Sequence, residues 1–335
     1  MKFIKLALLA LVIGLMSCDK SSKSTETTTT TEQPALAKAP AFNADSAYFF
    51  VEKQVKFGPR VPNTPAHAKC GDWMVSMLKK YGFEVTEQKF NATTFDGKNL
   101  NGRNIIGSFN PSAPKRILLA AHWDARPFAD KDSVNKNGAI DAANDGASGV
   151  GVLLEVARVL NEVKDKPSVG VDIIFFDAED WGEKNDMQPA TDKVYWCLGS
   201  QHWAKTPHKE GYTAYFGILL DMVGAKGATF PREGYSNQYA SAITTNIWNI
   251  AGQLGYGQYF ISADGGAITD DHVFVNKIAK IPMVDILHQQ VNSDKTFFDH
   301  HHTHGDTMDK IDRNTLKAVG QTVLQVLYQE SAPVQ

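Results

Sequence analysis

The sequence predicts one α/β domain: a twisted, mostly parallel central sheet with antiparallel edge strands, flanked by helices on both faces. Three observations carry that expectation. Four apolar runs, "RILLAAHWD" (116–124), "VDIIFFDAED" (171–180), "FGILLDMVG" (216–224) and "IPMVDIL" (281–287), read as strands buried on both faces. Segments with helical spacing separate these runs, the alternation that builds parallel sheets. Two earlier segments, "FEVTEQKF" (83–90) and "GRNIIGSF" (102–109), alternate like an antiparallel edge pair, with "DGKN" as the turn.

Residues 1–17 read as an export signal. Lys2 and Lys5 precede an apolar stretch, Leu6 to Met16, that is too short for a stable membrane span. Leu15-Met16-Ser17-Cys18 resembles the lipobox of bacterial lipoproteins, so Cys18 is expected to carry lipid and to hold the protein on a membrane, on the periplasmic side or the cell surface. Residues 18–40 read as a lipidated Cys and a Thr/Ser-rich tether with too little apolar surface to order itself. The α/β domain is expected over 41–335.

Within the domain, Tyr48, Phe49, Val51 and Val55 mark a helix over 44–57. "GPRVPNTP" breaks it, and a second helix over 66–80 ends at Gly82. Further helices are expected near 146–160, 198–206, 237–254, 271–277 and 312–330. No internal repeat is visible. The net charge of −3 and the absence of basic runs exclude a nucleic-acid partner. Cys70 and Cys197 are either paired or buried and free, since an exported protein permits both.

The polar residues gather at strand ends. His122 and Asp124 close one strand, Glu179 and Asp180 the next, Asp221 the third. In open parallel sheets the ligand crevice lies outside those ends. Adding Asp145, Asp270, Asp271 and His302 gives a carboxylate-rich set with few imidazoles, which suits zinc better than calcium. Asp145 precedes a long amphipathic helix and could equally serve as its cap. Asp177 is expected to bond nearby backbone amides.

In order, "AHWD", "NDGASGVG", "FFDAED", "LDMVGAKGATFP", "DDH" and "HTHGDT" resemble the co-catalytic zinc aminopeptidase clan. Within it the chain is most similar to the zinc-dependent glutaminyl cyclases (glutaminyl-peptide cyclotransferases), through "GPR", "LDMVGAKGATFP" and "DDHVF". The resemblance implies a zinc-aminopeptidase-like fold, one Zn2+ per chain, and cyclisation of the N-terminal glutamine of peptides and proteins to pyroglutamate with release of ammonia. It places the metal ligands on Asp145, Asp180 and His302, with His304 as an alternative to His302. It makes Glu179 the proton shuttle and puts Asp221 and Asp270 in its hydrogen-bond network, Asp271 being the alternative to Asp270. Asp180 departs from a Glu of the animal enzymes, and Asp285 falls where they carry a His. His301 stands where they have a Trp, so Trp181 and Trp196 are candidates for the ring surface of the pocket. A two-zinc aminopeptidase is the rival, with His122 and Asp221 holding a second metal and Asp145 bridging.

Overall fold

A computed structural model describes residues 35–184, 187 and 192–331. The signal and lipobox expectations lie outside the described residues. Among these, no helix is long and apolar enough to cross a membrane.

Leu36–Gln335 forms one compact unit. Helix α1 (Ala44–Val55) starts where Asn43 Oδ1 accepts from the Ser46 N–H, and α2 (Pro65–Lys80) where Thr64 caps and proline takes the first position. β1 (Glu84–Thr93) and β2 (Asn99–Phe109) form the expected antiparallel pair. β3 (Arg116–His122), α3 (Ala147–Glu162), β4 (Gly170–Phe176), α4 (Leu198–Lys205) and β5 (Phe216–Asp221) follow. Then come β6 (Phe230–Arg232), α5 (Gly234–Gln253), β7 (Phe260–Asp264), α6 (Asp271–Phe274), β8 (Met283–Leu287) and α7 (Arg313–Gln329).

The main sheet has the order β1-β2-β4-β3-β5-β8, with β4, β3, β5 and β8 parallel. Alternate residues of the inner strands feed two cores. Ile117, Leu119, Ile173 and Phe175 pack on the α1, α3 and α7 side, while Leu118, Ala120, Ile174 and Phe176 face the layer containing Trp203 and Val275. That division explains why these strands read as continuous apolar runs.

Four expectations need adjusting. The strands stop at His122, Phe176 and Asp221, so His122 and Asp221 end their strands while Asp124, Glu179 and Asp180 lie in the loops beyond. The helix near 271–277 is one α turn followed by a π turn, Val275–Ala279. β6 and β7, a short parallel pair, had no counterpart in the sequence reading.

The tether expected through residue 40 ends earlier, and residues 36–42 lie along α7. Gln329 Oε1 accepts from the Ala37 N–H (2.9 Å), Gln325 donates to the Ala37 carbonyl (2.6 Å), and Gln321 donates to the Pro40 carbonyl and accepts from the Phe42 N–H. The Phe42 ring lies on Gly320, where a Cβ would come within 2.1 Å of it. Glutamines four residues apart on one helix face thus hold a segment that is poor in large apolar side chains.

Candidate active site

The site occupies the carboxyl ends of β3, β4 and β5. At the end of β4, Asp177 accepts from the N–H groups of Arg103 (2.7 Å) and Ala178 (2.8 Å) and pairs with His67 Nε2 (2.9 Å), the structural role expected of it. Ala178 then adopts φ 55°, a left-handed turn that throws Glu179 and Asp180 out of the strand direction. Both Asp124 oxygens hold that turn, accepting from the N–H groups of Glu179 (3.0 Å) and Asp180 (3.1 Å).

Asp145 sits in the loop before α3 and does not cap it, since no side chain caps that helix. The residue at the cap position is Gly146, with φ 47° and a missing Cβ that would lie 2.6 Å from the His122 carbonyl. Asp306 fixes the loop by accepting from the N–H groups of Asn144 (2.9 Å) and Asp145 (3.0 Å). Arg60, fully buried, donates to the carbonyls of Trp123, Asp141 and Ala142, so the arginine of "GPR" braces the same loop.

His302, itself at φ 57°, brings the three ligand candidates together. Its Nε2 lies 3.5 Å from Asp145 Oδ2 and 3.2 Å from Asp180 Oδ1. Asp145 Oδ2 and Asp180 Oδ2 are buried with no hydrogen-bond partner among the described residues, and burial, then the Asp145 charge, pushes the Asp180 carboxyl well above its ordinary range. Two buried carboxylates converging on an imidazole in this way suit a divalent cation.

The neighbouring histidines differ in position. His304 is exposed and pairs with Asp132, away from the site. His301 lies beside His302, but the Lys131 ammonium is 2.7 Å from its Nδ1. Its Nε2 faces Asp145 Oδ2 at 3.6 Å, so His301 also stands within reach of an ion held by Asp145 and His302.

A second group that could hold a metal is His122, Asp145 and Asp221. Here His122 Nε2 reaches Asp145 Oδ1 (3.1 Å) and Asp221 Oδ1 (3.2 Å). Burial alone would lower the His122 pKa, but contacts with Asp124, Asp145 and Asp221 raise it well above its ordinary value. His122 Nε2 therefore stands between Asp145 and Asp221.

Glu179, Asp221 and Asp270 line a pocket of about 220 Å3 together with Asp145, His301 and His302. Pockets for drug-sized ligands run from roughly 300 to 1,000 Å3, so this one suits a single terminal residue. Burial raises the Glu179 carboxyl well above its ordinary range, and the charges of Asp270, Asp180 and Asp271 add to this, opposed by His122. Burial likewise raises Asp221 to about 7. Asp270 lies within 4.8 Å of Glu179 and lines the pocket, whereas Asp271 is fully buried behind it.

Of the two tryptophans, Trp196 lines the pocket, its ring parallel to His302. Trp181 turns away into a small cluster with Phe90 and Leu100, under Lys98. The sequence reading missed Phe297, which lines the pocket, and Arg126, fully buried between the Phe128 and Trp196 rings and bonded to Asp130 and the Asp180 carbonyl. It also missed Cys197 as a contributor: its thiol is 3.2 Å from Glu179 Oε1. Cys70 and Cys197 are both buried and unpaired, which closes the disulfide question. No local signal marks these residues, because each meets its partner through the fold.

The model of peptidase family M28 matches residues 104–327. The chain belongs to peptidase family M28. Among solved structures similar to this M28 chain is a Zn-dependent exopeptidase from Parabacteroides distasonis, 52% identical, with a TM-score of 0.84 over 87% of this chain and 99% of that one. Another is a Bacteroides thetaiotaomicron glutaminyl cyclase bound to N-acetylhistamine, 49% identical, with the same TM-score and coverage. The glutaminyl-peptide cyclotransferase of Bos taurus is 28% identical over 68% of this chain and 65% of its own. This chain spans 46%, 65% and 45% of the length of the first three curated relatives it matches.

Proposed function

We propose that this M28 protein is a glutaminyl cyclase: it closes the N-terminal glutamine of peptides and proteins to pyroglutamate and releases ammonia, using one zinc ion. The observation that carries the reading is the division of labour between adjacent acids. Asp180 faces His302, while Glu179 faces the pocket with its carboxyl held by Cys197. Near-50% identity to bacterial glutaminyl cyclases across almost their whole length supports it.

Asp145, Asp180 and His302 would hold the zinc, which when bound supplies a Lewis acid for the side-chain amide carbonyl. The small pocket curls the glutamine side chain so that its α-amine meets its own amide carbon, an intramolecular attack favoured by orientation. A C–N bond forms to the amine and the bond to the amide nitrogen breaks. Glu179 takes the proton from the attacking nitrogen and gives it to the departing one, so no net proton is consumed. Its raised proton affinity suits both steps, and the neighbouring Asp270 charge sustains it, while Asp221 lines the same pocket.

The aminopeptidase reading needs a second metal held by His122, Asp145 and Asp221, whose ligand atoms also lie close together, so the metal count and the product separate the two readings. A Gln-initiated peptide incubated with the zinc-loaded protein should lose ammonia alone in the mass spectrum, with about one zinc per chain by metal analysis. Release of free glutamine and two tightly held zincs would sink the proposal.

We also propose that Cys18 is lipidated and anchors the protein on the periplasmic side or the cell surface, on the strength of the charged, apolar and Leu-Met-Ser-Cys pattern. A Cys18→Ser protein should leave the membrane fraction with its activity intact. Retention after a carbonate wash would overturn the anchor.

A further inference from the structure

One buried cation lies against the ligand candidates. Arg126, in the loop after β3, is fully buried, and each nitrogen of its guanidinium is bonded. Nε and Nη2 donate to the two oxygens of Asp130 (2.7 and 3.0 Å), a paired contact that neutralises the arginine and fixes the plane of its head. Nη2 also donates to the Glu183 carbonyl (3.1 Å). The Phe128 and Trp196 rings stand 4.4 and 4.7 Å from the central carbon. A planar group held along its edges and between two rings has little freedom left.

That leaves Nη1, which turns to residue 180. It donates to the Asp180 carbonyl (3.0 Å) and to Asp180 Oδ1 (3.3 Å). One nitrogen bonded to both the main chain and the side chain of a residue fixes the torsion between them. The Asp180 N–H is tied to Asp124, so the backbone is held from its other side as well. Oδ1 is also the oxygen that stands 3.2 Å from His302 Nε2. An aspartate arm is short, so its carboxylate meets a cation only when that torsion is right.

We propose that Arg126 is a positioning residue for the metal: clamped on Asp130, it holds the Asp180 carboxylate beside His302 in the direction a bound zinc ion needs. This rests on the reading of Asp145, Asp180 and His302 as the ligands. Because Asp130 balances its charge, the guanidinium orients Asp180 without cancelling the negative charge that attracts the ion. A lysine here keeps the charge but not the fork. One ammonium on a flexible stem cannot make both contacts to residue 180 and both to Asp130.

The test is zinc affinity, read by competition with a coloured chelator, in the native protein, Arg126→Lys, Asp180→Asn and the double variant. Arg126→Lys should bind zinc about tenfold to a hundredfold more weakly, the usual cost of losing a group that orients a ligand. In the Asp180→Asn background the same change should cost less than about threefold, because Arg126 acts through Asp180. With cobalt in place of zinc, the visible absorption bands of fully loaded Arg126→Lys should differ from the native ones, a shift that lost stability alone does not produce. Equal affinity, additive losses or unchanged bands would each overturn the clamp. So would an ion held by Asp145, His301 and His302 alone, which would leave the affinity of both single variants unchanged. Should Arg126→Lys not fold, the native protein still decides: zinc should shift the guanidinium N–H resonances of Arg126, and constant resonances overturn the proposal. A native protein that binds no zinc tightly overturns the ligand reading and the clamp together. One that shows the expected affinities but releases no ammonia from a Gln-initiated peptide counts against the cyclisation alone.

Discussion

At the scale of single residues, Glu179 and Asp180 are one position apart and face different partners. The left-handed turn at Ala178 and the two hydrogen bonds to Asp124 hold them there. Their amide variants should therefore fail differently. Asp180→Asn removes a charged ligand, so zinc affinity should fall and excess zinc should restore part of the turnover. Glu179→Gln should keep its zinc while kcat drops by about two to four orders of magnitude, the range for a lost general base. Metal analysis beside steady-state kinetics reads both, and the opposite pattern would reverse the assignment. These two acids were legible because charge at the end of a buried strand demands a reason. Arg126, Lys131 and Cys197 were not, since Arg126 meets Asp180 and Cys197 meets Glu179 across loops that no periodicity records.

At the scale of elements, the parallel strands and long helices could be read because apolar runs and helical spacing survive in the sequence. Asp124, Glu179 and Asp180 were read as strand ends when they lie in loops, whereas His122 and Asp221 do end their strands, since an apolar run gives no stop signal before the acids. β6 and β7 escaped because three residues with a central proline, "FPR", carry no alternation. The junction between the β3 end and α3 is the most demanding of these elements. Gly146→Ala puts a Cβ against the His122 backbone oxygen and keeps a left-handed φ, which together should cost about 1–3 kcal/mol. The loop must shift to relieve the contact, carrying Asp145 with it. Thermal melting and zinc titration should both show the loss. An unchanged melting temperature and zinc affinity would mean that this junction has slack.

For the molecule as a whole, the amino-terminal strap matters more than its composition suggested. Removing residues 1–35 should leave the melting temperature unchanged, because every strap contact lies beyond them. Removing residues 1–42 strips Phe42 from Gly320 and leaves three glutamines without their backbone partners. The lost Phe42 packing alone should cost about 2–3 kcal/mol, read as an earlier denaturant midpoint. Equal stability of the two truncations would show that the strap is passive. The strap was illegible because glutamine–backbone bonds leave no apolar trace in the sequence.

The same strap gives the molecule an orientation. The chain enters beside the last turn of α7, where Glu330 pairs with Lys115, the residue just before β3 begins. That is the amino edge of the parallel strands, and the pocket opens at their carboxyl edge. Residues 36–42 therefore meet the domain at the edge of the sheet opposite the pocket.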